Sequence, residues 1–295
     1  MIKNKLLTRR QYIVFGCIQI IKRRPKMIRS QLDKQRDKNF VHFTLDLTGY
    51  RRRIDVSRQE LETLHLPLLK EVEELYRRHG GRFVVFLSGP PGCGKTTLAK
   101  MWEALSKRGY FATRVQSLPM DGFHYSNGIL SSRTTNVDGE TVPLYRVKGA
   151  PESFDIDEIE LNLEKLHEGK GVMWPEYDRR THDPVPNAIP VIHKGIVVVE
   201  GNYLLLDKPR WRKLRKWADL GIFTECPEEI ARSNLVSRHQ KGGKTLEQAI
   251  NHYKFNDLRN RRTVLKYRKG IDILIKMKTN EKLASYSWVT IPKKV

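Results

Sequence analysis

The sequence predicts an α/β fold, a parallel sheet covered by helices on both faces in a three-layer sandwich. Two observations carry this. From Arg82 onward, short apolar runs alternate with stretches of helical periodicity, the pattern of linked strand–helix units. The first run, Phe83–Leu87, is apolar at every position, as a parallel strand buried on both faces must be, and it leads into a glycine-rich loop followed by helix formers.

That loop, Gly89-Pro90-Pro91-Gly92-Cys93-Gly94-Lys95-Thr96, fits G-x-x-x-x-G-K-[ST] at every fixed position and lies between strand and helix, the context the motif requires. Glycines let backbone N–H groups turn inward around a phosphate, and the helix N-terminus adds partial positive charge. Lys95 is expected to reach the β- and γ-phosphates and the Thr96 hydroxyl to ligate Mg2+. The chain is therefore predicted to bind a nucleoside triphosphate.

Net charge is +22 over 295 residues, and residues 1–38 hold twelve Lys/Arg against Asp33 and Asp37, a local +10. Such a surface suits nucleic acid, anionic lipid or phosphorylated ligands alike. Cys17, Cys93 and Cys226 form no C-x-x-C pair, which argues against a cysteine zinc site or disulfide framework and fits a reducing cytoplasm. Cys93 is read as a variable loop position.

Taken in order, residues 1–39 are expected to be a basic extension. Tyr12–Ile21 is apolar but too short for a transmembrane segment, and KRRPK stands where a signal-peptide cleavage site would be. Two readings of residues 1–26 stand, a membrane-surface helix or a true translation start at Met27, the second preferred. Residues 40–81 form a predicted cap on the core. Phe40–Asp46 alternates, Thr48-Gly49 can turn the chain, and Tyr50–Val56 continues as a second strand. Ser57 and Glu60 have capping-box spacing, Leu61, Leu64, Leu68, Leu69, Val72 and Leu75 make an apolar helical stripe, Pro67 predicts a kink, and Gly80-Gly81 ends it. The main domain spans 82–280. Its helix over Thr96–Lys107 is followed by strands at Thr113–Met120, Ile196–Glu200, Leu220–Thr224 and Ile271–Lys276. Between them come a polar insertion (Ser131–Glu140), a helix striped by Ile156, Ile159, Leu163 and Leu166, and a proline-rich stretch, Trp174–Pro190, read as irregular. Residues 281–295 are read as a C-terminal tail.

In open α/β sheets ligands sit at the carboxyl ends of strands, so the acidic residues there carry the argument. Asp121 ends the second strand, where a carboxylate can take the proton of an attacking hydroxyl. Glu200 ends the third, where it can meet Mg2+.

GPPGCGKTT, PMDGFH, KGAPESFD, YDRRTHDP, VVVEGNYLL and SNLVSRHQKGGKT together resemble the phosphoribulokinase/uridine kinase family of P-loop kinases over roughly residues 82–265. The resemblance implies a P-loop NTPase fold with a helical lid and ATP- and Mg2+-dependent phosphorylation of a small-molecule hydroxyl. It makes Asp121 the base, with Lys95 and the lid's Arg238 as the other catalytic groups. It assigns the nucleotide to Gly89–Thr97 and Arg232, and the metal to Thr96 and Glu200. Phe123, His124, Tyr177, Arg179 and His182 fall where the family binds substrate, while KGAPESFD is closer to the pantothenate kinase segment. Uridine is the preferred acceptor, with pantothenate and a ketose such as fructose left open.

Arg232, Arg238, Lys241 and Lys244 lie in the segment Ala231–Thr245 that resembles the lid, with Gly242-Gly243 as its joint. The histidines are scattered and predict no metal site beyond Mg2+. The alternative function is a nucleotide-gated protein binding RNA or membrane through the basic N-terminus. No RNA-recognition or helicase motif supports it, and no nucleic acid partner is expected. Self-association is left open.

Overall fold

The computed structural model describes residues 39–47, 51–279 and 281–290. Residues 1–38 of the basic extension and the Thr48-Gly49 turn lie outside the described residues.

Strands β1 (Phe40–Asp46) and β2 (Arg51–Ser57) pair antiparallel. The Ser57 hydroxyl then accepts the Glu60 N–H, starting a helical stretch that continues as α1 (Leu66–His79). The kink expected at Pro67 is taken up by a π turn, Leu61–His65, in which the Leu66 N–H donates to Leu61. Widening the turn there relieves the clash that a proline ring makes with the carbonyl four residues back. Gly80, with φ +75°, ends α1 in the left-handed region that glycine favours.

The central sheet has the order β12-β11-β10-β3-β9-β4. β3 (Arg82–Ser88), β4 (Val115–Pro119), β9 (Gly195–Gly201), β10 (Leu220–Glu225) and β11 (Ile273–Met277) run parallel. Alternate residues of β3 enter opposite layers. Phe83, Val85 and Leu87 pack with Phe43 and Ile54 of the hairpin, Leu68 and Val72 of α1, and Leu98 and Trp102 of α2 (Lys95–Lys107). Val84 and Phe86 pack with Ile159 and Leu163 of α4 (Ile156–His167), Trp174 and Tyr203. This is why Phe83–Leu87 must be apolar at every position.

Leu283–Trp288, read from sequence as tail, is the antiparallel strand β12 beside β11. Glu71 of α1 accepts from Tyr286 Oη (2.9 Å) and Trp288 Nε1 (2.6 Å), and Glu60 accepts from the Leu283 N–H (2.8 Å). The polar insertion holds the end of α3 (Asn127–Ser132) and a small hairpin, β5 (Thr134–Val137) with β6 (Glu140–Pro143). The stretch expected to be irregular is also a hairpin, β7 (Met173–Asp178) with β8 (Asp183–Pro190). A two-stranded ribbon tolerates prolines on its outer edges, and the register shifts at Pro175, between Trp174 and Glu176. After β10 come α5 (Glu228–Lys241), α6 (Leu246–His252), a π turn (Tyr253–Asp257) and α7 (Leu258–Lys266). Among the described residues no helix is long and apolar enough to cross a membrane.

Candidate active site

The carboxyl ends of β10, β3, β9 and β4 stand side by side, and each supplies part of one site. β3 runs into the glycine-rich loop. Gly92 and Gly94 have φ of +80° and +81°, and a Cβ on Gly92 would lie 2.7 Å from the Ala231 carbonyl. A Cβ on Gly89 would collide with the Thr224 carbonyl and hydroxyl. The loop thus needs glycine both for its turn and for its close approach to β10 and α5. Pro90, Pro91 and Cys93 are buried along it, and Thr97 is buried in the first turn of α2.

Lys95 is buried, and its ammonium donates to the Pro90 carbonyl (2.9 Å) and to Asn202 Oδ1 (2.8 Å). Burial lowers its pKa, against the raising effect of Cys93, Glu200 and Asp121. The Thr96 hydroxyl donates to Glu200 Oε1 at 2.8 Å. Burial, with the Asp121 charge beside it, raises the pKa of Glu200. A hydroxyl next to a buried carboxylate is a pair of hard oxygen donors, the kind Mg2+ takes. The residues therefore fit that ion.

Asp121 lies in a 3-10 turn, Met120–Phe123, directly after β4. Trp174 Nε1 donates to the Pro119 carbonyl (2.8 Å), and a Cβ on Gly122 would strike the Pro175 backbone, so β7 clamps this turn. The Asp121 carboxylate accepts from Arg179 Nη2 at 3.2 Å. Burial pushes its pKa up, but the positive groups Arg179, His124, Arg238 and Lys95 together outweigh it and hold the carboxyl low. The His124 ring stacks at 3.9 Å on Phe154 and at 5.2 Å from Tyr177, and its Nδ1 lies 2.7 Å from the Asp121 carbonyl oxygen. Burial lowers the His124 pKa and raises that of Tyr177. Lys148 and Arg179 both approach the Tyr177 ring, at 5.1 and 5.9 Å.

Two residues assigned to substrate stand elsewhere. Phe123 is 1 % exposed, its ring edge-on to Trp174 at 4.8 Å, so it packs the turn rather than facing a ligand. His182 is exposed in the β7–β8 turn with φ +54°, and it contributes its carbonyl, which accepts from Lys148 Nζ at 2.5 Å. Arg232 and Arg238 are exposed on α5, and the charge of Arg238 reaches both Lys95 and Asp121. The sequence reading missed Asn202, which receives Lys95, and Asn234, whose Nδ2 donates to the Gly92 carbonyl (2.9 Å) and ties α5 to the loop. It also missed the partner of Cys93. Cys226 Sγ lies 2.8 Å away, and that hydrogen bond lowers the Cys93 thiol to about 7.

The sequence profile of the Phosphoribulokinase / Uridine kinase family matches residues 84–282. The chain is 37 % identical to YggC, an uncharacterised protein of Escherichia coli (strain K12), over 79 % of this chain and 94 % of that protein. It is 33 % identical to a Schizosaccharomyces pombe protein provisionally named a uridine kinase, over 66 % of this chain and 85 % of that one. Among solved structures, a Silicibacter sp. TM1040 protein provisionally described as a fructose transport system kinase superimposes with a TM-score of 0.63. It is 34 % identical, with 71 % of this chain and 97 % of that one covered.

Proposed function

The chain belongs to the phosphoribulokinase/uridine kinase family, and on that premise we propose an ATP- and Mg2+-dependent kinase that phosphorylates a hydroxyl of a nucleoside such as uridine. That it is a kinase with a hydroxyl acceptor follows from the family. The observation that carries the mechanism is that Lys95, Thr96, Glu200 and Asp121 converge from three neighbouring strand ends.

In this reading the loop amides and Lys95 hold the triphosphate. Thr96 and Glu200 would hold Mg2+, which when bound would neutralise charge on the phosphate oxygens. Asp121 receives the proton of the acceptor hydroxyl and orients it in line. Arg179 keeps Asp121 ionised at the cost of basicity. A loose transition state tolerates this, because little proton transfer is needed before the phosphoryl group has left. Arg238 brings positive charge from the lid. The site then works by positioning and charge neutralisation.

Support for a nucleoside comes from the rings of His124 and Tyr177 beside Asp121 and from the relative provisionally named a uridine kinase. A specific observation favours a second acceptor class. Lys148 and Arg179 flank Tyr177 with two cations, which suits an acceptor bearing a carboxylate, as pantothenate does.

The test is ADP release by the full chain with Mg2+ and ATP against uridine, cytidine, pantothenate and fructose, with Asp121→Asn as control. A nucleoside that raises turnover, with loss of roughly 100-fold or more in the variant, supports the first reading. Stimulation by pantothenate alone moves the assignment to the second. Unchanged turnover in Asp121→Asn would falsify the base assignment.

A further inference from the structure

Where α5, α6 and the following π turn pack together, three side chains from three segments meet. His239 stands near the end of α5, His252 is the last residue of α6, and Asp257 closes the π turn that follows. His239 Nε2 lies 2.7 Å from Asp257 Oδ2, and the two imidazole rings are 4.4 Å apart at 68°. One ligand atom from each of the three falls within 4.8 Å of the others. In an α-helix, residues five apart point to different faces. The π turn overcomes this, because its wider spacing carries Asp257 round to the side of His252.

We propose that His239, His252 and Asp257 form a binding site for a first-row transition metal ion of the zinc class, joining the lid helix α5 to α6 and the π turn.

The chemistry of the donors selects the ion. Two imidazoles and one carboxylate are a familiar three-ligand set for zinc, which binds nitrogen at about 2.0–2.1 Å and leaves a fourth position for water. Ligand atoms at such lengths lie roughly 3–4 Å apart, so the 2.7 Å hydrogen-bonded edge between His239 and Asp257 opens slightly while any edge near 4.8 Å closes, both by side-chain rotation. Mg2+ and Ca2+ prefer oxygen and do not compete well for imidazole. The groups that face His252 are Asp257, His239, Lys244 and Arg238. Lys244 and Arg238 oppose a dication, which further disfavours ions bound by charge alone. Asp257 and His239 are both largely buried, so the carboxylate and one imidazole are already held in place.

Occupancy would tie the end of α5 to the π turn. That turn reaches the other side of the cleft as well, since Asn256 Nδ2 donates to the Lys148 carbonyl at 2.8 Å. An ion here would therefore brace the lid against the segment that carries Lys148.

The experiment uses the full chain, free of any histidine tag and without nucleotide, so that its result does not depend on the kinase reading. Zn2+ uptake is measured by equilibrium dialysis with elemental analysis, and Co2+ is added as a visible-absorption probe. The expected result is one equivalent bound, cobalt bands of nitrogen and oxygen ligation, and a melting temperature that rises with Zn2+. His252→Gln, with its side chain at the edge of the cluster, should fold normally by circular dichroism. It should bind more weakly by at least the roughly 10- to 100-fold that outer-shell changes cost. Asp257→Asn is the second variant. Absence of saturable uptake, or equal uptake in His252→Gln, would overturn the proposal. So would an intense sulfur-to-cobalt charge-transfer band, since it would locate the ion at cysteine instead.

Discussion

Arg179 donates to the Asp121 carboxylate across 3.2 Å, joining the β7–β8 hairpin to the end of β4 where the proposed base stands. The pair has a pH consequence. As the proposed base Asp121 would act only as a carboxylate, so activity should fall as pH drops through its pKa, which the surrounding cations place below the ordinary carboxylate range. In Arg179→Ala one of these cations is gone and burial pushes the pKa up. The acid limb of kcat/KM against pH should therefore move to higher pH in the variant and lie lower in the wild type.

Glu200 shifts the other way, because burial and the Asp121 charge favour its protonated form. In the proposed site a proton and Mg2+ would compete for the same carboxylate. Apparent Mg2+ affinity should fall on acidification while the carboxylate still titrates above its usual range. Glu200→Gln should need about tenfold more Mg2+ for half-maximal turnover, and chelation by EDTA should abolish turnover. Magnesium titrations at two pH values check the first two, and an assay with excess EDTA checks the third.

Asn202 is one of two acceptors for the buried Lys95 ammonium. Hydrogen bonds to charged groups contribute about 1.5–3 kcal/mol, so Asn202→Ala should lower stability by that order. Saturating Mg2+ and ATP should restore most of it, since phosphate oxygens replace the lost acceptor. Thermal unfolding with and without nucleotide reads the difference.

Gly122 sits under the Pro175 backbone, which no side-chain rotation can clear. Gly122→Ala should cost about 1–3 kcal/mol of stability through overpacking. It should also displace Asp121, so kcat should fall by more than the KM for ATP rises. A variant with full kcat would show that the clamp from β7 does not position the base.

The parts legible in the sequence are those whose cause is local. The buried run before Gly89, the loop pattern and the acidic residues ending apolar runs all signal their places in the fold within a few residues. What escaped is set by partners distant in the chain. Asn202 and Asn234 act through amides that meet Lys95 and the Gly92 carbonyl, more than a hundred residues away. Four prolines, Pro175, Pro184, Pro186 and Pro190, hid the β7–β8 hairpin, because proline signals a break unless the ribbon's outer edges are known to be free. Phe123 and His182 illustrate the limit of motif adjacency. One neighbours Asp121 in sequence yet turns into the core, and the other reaches the site only through its carbonyl.

β12 has a last consequence, for how molecules of this chain behave toward one another. It covers the outer edge of β11, and its own hold on the sheet is reinforced from the opposite end of the chain by Glu71 and Glu60. A chain ending after Met277 would present the backbone N–H and C=O groups of an apolar strand to solvent, a template for pairing with a second copy. Such a shortened protein should scatter light in proportion to its concentration well below its unfolding temperature. Glu71→Ala should show the same tendency in milder form, because it loosens the strand that covers β11.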